Sequence, residues 1–179
     1  MKYIVMLRGI NISGKNKISM SMLKSVLEEE GFKNVSTILN SGNVILETEV
    51  ASKETLAKKI FNIIKENFNF EIPVFVTTES ELKDVVNKSP DWWGTDDKNI
   101  YDNLIFIIPP ATYGEIYAAV GEPSKDIDKI KEYQNHIFWS FDLKNYRKSN
   151  WWIKTASTNI KDNITIRTAN TIKKILKSC

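Results

Sequence analysis

The stretch of the sequence with the most chemical content is Gly9-Ile-Asn-Ile-Ser-Gly14-Lys15-Asn16, which fills the first seven places of the phosphate-binding loop G-x-x-x-x-G-K-[ST]. In such a loop main-chain N–H groups cradle phosphate oxygens, the lysine neutralises them and the closing hydroxyl ligates magnesium. Asn16 has no hydroxyl, the helix signal that follows starts too late to aim its amides at a phosphate, and no apolar strand ends in a Walker-B aspartate. Nucleotide hydrolysis is therefore not expected. What survives is an anion cradle of Arg8, Lys15 and Lys17 around flexible glycines at a strand end, suited to a phosphorylated or carboxylate small molecule. The competing reading is a solvated connection whose glycines only satisfy turn geometry.

Few other groups could do chemistry. His136 is the only histidine and Cys179, the last residue, the only cysteine. Those counts argue against Ser-His-Asp hydrolysis with a second base, thiol catalysis, disulfide scaffolds, His-rich metal sites and zinc fingers. No metal set, cofactor or general base is assigned, and no catalytic residue is named. Of the 25 basic residues only Arg8, Arg147 and Arg167 are arginine in a lysine-rich chain. The planar guanidinium fork is required where two oxygens of one anion are gripped, so each of the three is a candidate anion fork, against the alternative of an ordinary surface ion pair. In an enzymatic version Lys15 would stabilise charge, and Asn11 or Asn43 would orient the ligand.

The net charge of +3 is unevenly spread, with sums of +2 over residues 1–78, −6 over 79–132 and +7 over 133–179. A second reading is thus nucleic-acid binding by the basic C-terminal region, weakened by charge reversal at Lys173 and Lys174. Trp151-Trp152 lies among Arg147, Lys148 and Lys154, the composition of a single-strand grip. Neighbours on a helix point about 100° apart, so at most one of the two tryptophans faces solvent while the other packs inside. Trp92 and Trp93 read as packing residues. A third reading makes the chain a protein-interaction module.

These residues need elements to hold them. Tyr3 to Arg8 reads as a strand apolar on both faces, and a helix begins at about Ser19, with Leu23 and Leu27 in its apolar stripe and Gly31 as its stop. Val35–Leu39 and Val44–Leu46 flank Asn40-Ser41-Gly42-Asn43, a hairpin signal. Ser52 caps a helix carrying Leu56, Ile60, Ile63 and Ile64, and Ile72–Val76 follows as a strand. Thr78 and Glu81 have capping-box spacing before a helix ending near Lys88, and residues 89–99 form a loop. A strand at Leu104–Ile108, a helix from Thr112 to Gly121, a hairpin across Gln134-Asn135, a helix over Arg147–Ser157, a strand at Ile164–Arg167 and a helix from Asn170 complete the chain.

The order βαββαβ occurs twice, which predicts an α+β structural duplication of two ferredoxin-like subdomains, residues 1–78 and 79–179, the second with a preceding and a terminal helix. Strands apolar on both faces require cover on the second face, from the other half or from a second copy. The N-terminal apolar run, Tyr3 to Leu7, is too short for a signal peptide or membrane span. A cytoplasmic protein without membrane partners, monomeric or weakly dimeric, is expected.

Three segments carry a resemblance: Met6-Leu-Arg-Gly-Ile-Asn-Ile-Ser-Gly-Lys-Asn-Lys17, Leu39-Asn-Ser-Gly-Asn-Val44, and Ile164-Thr-Ile-Arg-Thr-Ala-Asn-Thr-Ile-Lys-Lys174. Together they resemble the bacterial domain of unknown function 1697 family over essentially the whole chain. Thr168 and Ala169 stand where that family often has Asn and Trp. The resemblance implies paired ferredoxin-like subdomains and brings no catalytic residues. Its motif positions add Asn43, Asn170 and Thr171 to Arg8, Asn11, Lys15, Lys17 and Arg167 as the candidate anion site.

Overall fold

Five apolar residues without a turn former set the first strand, β1 (Lys2–Leu7), and both of its faces are buried, Ile4 and Met6 as fully as Tyr3, Val5 and Leu7. The computed structural model describes residues 1–157 and 159–179. It divides into two compact units, Met1–Lys83 with Lys174–Cys179, and Asp84–Lys173. The fold is mixed α+β, with two four-stranded antiparallel sheets and flanking helices.

In the first unit β1 is followed by α1 (Met20–Glu29), β2 (Lys33–Ile38), β3 (Asn43–Glu47), α2 (Lys53–Phe68) and β4 (Val74–Thr78), and the sheet order is β2-β3-β1-β4. Leu23 and Leu27 of α1 and Leu56, Ile60, Ile63 and Ile64 of α2 recur at helical spacing and meet Tyr3, Val5 and Leu7 in one core. Each such side chain contributes about 1.5–3 kcal/mol by burial. Ser19 and Ser52 cap the two helices as the sequence indicates. β4 begins two residues later than the apolar run suggests. Pro73 has no N–H for the ladder, and its carbonyl instead accepts from the Arg8 N–H at 3.0 Å.

α3 (Glu79–Asn87) opens with the expected capping box: the Thr78 hydroxyl accepts from the Glu81 N–H at 3.2 Å, and Glu81 Oε2 accepts from the Thr78 N–H at 3.0 Å. Burial pushes the Glu81 carboxyl up, but the hydrogen bond and charge of Lys53, with the donors on Thr78 and Thr77, outweigh it and hold the pKa at about 2. The folded state therefore binds this proton less readily than the unfolded chain. The stabilisation is fully present above the unfolded value of about 4.3 and is lost as pH falls towards 2. Glu81→Gln is expected to flatten the stability curve between about pH 4.5 and 2. Urea midpoints across that range check it, and a parallel acid limb in the variant would refute it.

The second unit contains β5 (Ile100–Ile107), α4 (Tyr113–Val120), β6 (Asp128–Tyr133), β7 (His136–Asp142), α5 (Asn150–Ser157), β8 (Ile164–Thr168) and the first half of α6 (Ala169–Ser178), with sheet order β6-β7-β5-β8. Thr112 and Glu115 form a complete capping box on α4, and Gln134 and Asn135 make the β6–β7 turn with φ of 47° and 62°. Ile105, Ile107, Ile116, Trp139, Phe141 and Trp151 share the core. β5 is four residues longer at its start than its apolar run. The two polar residues that hid this, Asp102 and Asn103, are buried, and Asp102 accepts from the Ser140 hydroxyl and the Gly94 N–H.

The helix expected over Arg147–Ser157 is instead a 3-10 turn, Leu143–Lys148, and the separate α5. Ser149 divides them. Its hydroxyl accepts from the Trp152 N–H at 2.9 Å as a cap while donating to buried Asp128 at 2.6 Å.

Candidate functional site

The loop after β1 is shaped by left-handed backbone. Gly9, Asn11, Ser13, Gly14 and Asn16 all have φ between 45° and 78°, and three of them are not glycine. Asn11 holds that shape: its Nδ2 donates to Ile18 O and Asn40 O, each at 2.9 Å, and its Oδ1 accepts from the Ile18 N–H at 2.9 Å. Asn16, which departs from the nucleotide-loop pattern, closes the loop. Its Nδ2 donates to Gly9 O at 3.1 Å and its carbonyl accepts from the Asn11 N–H at 3.2 Å. Left-handed geometry tolerates asparagine better than serine or threonine here. α1 starts at Met20, four residues after Asn16, so the spacing argument against a nucleotide loop holds.

The hairpin motif is joined to this loop. The Leu7 N–H donates to Gly42 O at 2.8 Å, and Asn43, fully buried, donates from Nδ2 to Ile38 O at 2.8 Å and to Ser41 Oγ at 3.0 Å. At Gly42 φ is +76°, and a Cβ there would stand 2.8 Å from Leu7 Cβ and 2.9 Å from Ile10 Cδ1. Two of the three motifs therefore converge within the first unit.

Where they meet, an open hollow of about 650 Å³ is lined by Asn11, Gly14, Lys17, Ser19, Ser21 and Asn40. Lys15 and Lys17 are exposed, and Arg8, at the root of the loop, is half-buried. The Asn11 amide is committed to main-chain partners, so it positions the loop. The Ser19 hydroxyl accepts from the Met22 N–H at 3.4 Å and is hydrogen-bonded to Ser21 Oγ at 2.9 Å. Sequence reasoning passed over Ser19 and Asn40 as ligand contacts because they already had work as cap and turn formers, and gave Ser21 no role. The place of Asn40 inside the hairpin motif was the available signal.

Arg167, Asn170 and Thr171 belong to the second unit. Buried Arg167 donates from Nη1 to Thr165 Oγ1 at 2.8 Å and Ile166 O at 2.9 Å. The Thr171 N–H donates to Thr168 Oγ1 at 3.2 Å in the cap of α6, and Asn170 is exposed. Lys173 donates to Gly94 O at 2.8 Å, while Lys174 is exposed. Trp151 is completely buried and Trp152 is 41% exposed, the division that helical geometry requires. Trp93 packs edge-on against Phe138 and donates from Nε1 to Asn103 O at 2.7 Å.

Among the described residues no helix is long and apolar enough to cross a membrane. None of the curated proteins matches the chain. The chain is similar to a conserved bacterial protein of solved structure from Streptococcus pneumoniae, with 25% identity over 98% of this chain and 97% of that one and a TM-score of 0.84. A match to the profile of the protein family of unknown function DUF1697 spans residues 1–138, which contain the loop and hairpin that build the hollow, and the chain belongs to that family.

Proposed function

We propose that the protein binds a phosphorylated or carboxylate small molecule in the hollow between the Gly9–Ile18 loop, Asn40 and the first turn of α1. The observation that carries this reading is that residues from both converging motifs, with Lys17 among them, line one open hollow. The loop keeps three non-glycine residues in left-handed backbone, each costing of order 1 kcal/mol, and such strain concentrates at ligand sites. Lys15 and Lys17 supply charge and Arg8 a fork at the loop's root. Asn11 and Asn43 act by holding the loop and hairpin.

We further read each unit as ferredoxin-like, with boundaries near residues 1–78 and 79–179, on the strength of the βαββαβ order and the central β1 and β5. A cytoplasmic monomer or weak homodimer is the setting proposed. The aromatic pattern of RNA-binding sheets is not offered by β1 and β3, where the lone aromatic, Tyr3, is buried.

The test is a thermal-shift series with inorganic phosphate, phosphorylated metabolites and small carboxylates, at two salt concentrations. A ligand at about 100 times its Kd adds about 2.7 kcal/mol. Lys15→Ala/Lys17→Ala, on exposed side chains, is expected to melt like the parent without ligand and to lose at least about ten-fold in affinity, as charge-assisted contacts of roughly 1.5–3 kcal/mol imply. Equal shifts in parent and variant would reject the site.

A further inference from the structure

We propose that the second unit carries a separate surface for single-stranded nucleic acid, built on Trp152 and Tyr101 with Arg147, Lys144 and Lys148 around them. Trp152 and Tyr101 are 41% and 37% exposed, and each rests on buried Phe141 at a ring-centroid distance of 5.4 Å. Tyr146 stands edge-on to Trp152 at 5.4 Å. Its hydroxyl accepts from Arg147 Nε at 3.0 Å, and the guanidinium lies 5.6 Å from its ring centroid. The rings thus form a continuous, braced ladder with two members open to solvent, on which bases could stack.

Charge selects the occupant. The segment Leu143-Lys-Asn-Tyr-Arg-Lys148 holds three exposed cations and no acid, and leads directly into the turn of α5 that presents Trp152. An apolar protein partner would leave those charges desolvated, whereas a phosphate backbone pairs with them. Beside the ladder, Trp92, Ile100, Phe141 and Asn99 help line a hollow of about 340 Å³ that also meets Asp126, Asp142 and Lys129. With Lys129 and Lys144 also on its lining the two carboxylates are balanced in charge, which suits this hollow to a neutral group such as a base and leaves the phosphates to the cations of the Leu143–Lys148 segment. Duplexes are disfavoured because their base faces are already stacked. Trp92, read from sequence as packing, is half-exposed at this hollow.

The experiment is fluorescence anisotropy of a labelled short oligothymidylate with the intact chain, at low and moderate salt, against a duplex of mixed sequence. Binding should weaken with salt and exceed that of the duplex. Trp152→Ala should lose about ten-fold or more in affinity, since stacking contributes about 1–3 kcal/mol per base, while Trp152→Phe stays near the parent. Arg147→Glu, on an exposed side chain, should weaken binding and reduce the salt slope by about 0.7, and it serves as the second variant should Trp152→Ala melt early. Lys15→Ala/Lys17→Ala should leave the affinity unchanged. Absence of binding at low salt, or parental affinity in both Trp152→Ala and Arg147→Glu, overturns the proposal. So does a dimer in sedimentation that Trp152→Ala converts to monomer, which would make the patch a protein contact.

Discussion

Gly42→Ala is expected to destabilise the first unit by about 3 kcal/mol. About 1–2 kcal/mol comes from forcing a side chain into left-handed backbone at φ +76°. A further 1–3 kcal/mol or so comes from overpacking, because the new methyl would meet Leu7 Cβ at 2.8 Å. That Cβ is fixed to β1 and cannot swing aside, so strand or hairpin must shift. Gly9→Ala is the matched control: φ is +65° but no atom lies within 4 Å, and only the backbone cost of about 1 kcal/mol applies. Urea unfolding of the two variants measures the difference. Equal midpoints would show that the hairpin does not press on β1 as described. Because the Leu7 N–H also bonds Gly42 O, the same variant should disturb the hollow beside the loop.

Asp128→Ala is expected to cost about 4 kcal/mol in the second unit. The buried carboxylate accepts from Trp139 Nε1 at 3.0 Å, from the Ser149 hydroxyl at 2.6 Å and from the Ser124 N–H at 3.0 Å. Removing it strands buried donors at about 1–3 kcal/mol each. Asp128→Asn keeps an acceptor for the Trp139 and Ser149 donors but can turn an N–H towards that of Ser124. Its loss should be near 2 kcal/mol, the penalty of one unsatisfied group. Denaturant midpoints ordered parent, Asn, Ala are the expected result, and an Ala variant within 1 kcal/mol of the parent would remove Asp128 as the organiser of this corner. Since Ser149 caps α5 and its hydroxyl receives the Trp152 N–H, Asp128→Ala should weaken oligonucleotide binding as well.

Much of this was legible in the chain because the signals are local. Ser52, Thr78 with Glu81, and Thr112 with Glu115 announce helix starts within four residues, and Gln134-Asn135 announces a turn by what its backbone tolerates. The two sheets followed from apolar runs and their order. Apart from the late start of β4 at Pro73, the failures share one cause, a polar side chain whose partner is distant in sequence. Ser149 divides a helical stretch because its hydroxyl is tied to Asp128, and β5 starts early because Asp102 is satisfied by Ser140. At the hollow beside the loop the basic residues were visible from the loop pattern. The clasp from Asn11 to Asn40 was not, because no local rule pairs an amide with a carbonyl 29 residues away.

That clasp also sets how the hollow should respond to its surroundings. The bonds described for the loop join carboxamides to main-chain groups or main-chain groups to one another, none of which gains or loses a proton in the range where the fold persists. The loop's shape is therefore insensitive to acidity and salt. With the loop fixed in this way, a change in ligand affinity between about pH 5 and 8 is expected to report protonation of the ligand itself. For a phosphate monoester the inflection would fall near its second pKa of about 6, and for a carboxylate affinity would be flat across that window. The protein would then act as a passive gauge of its ligand's ionisation, and the pH profile of binding alone would tell the two ligand classes apart.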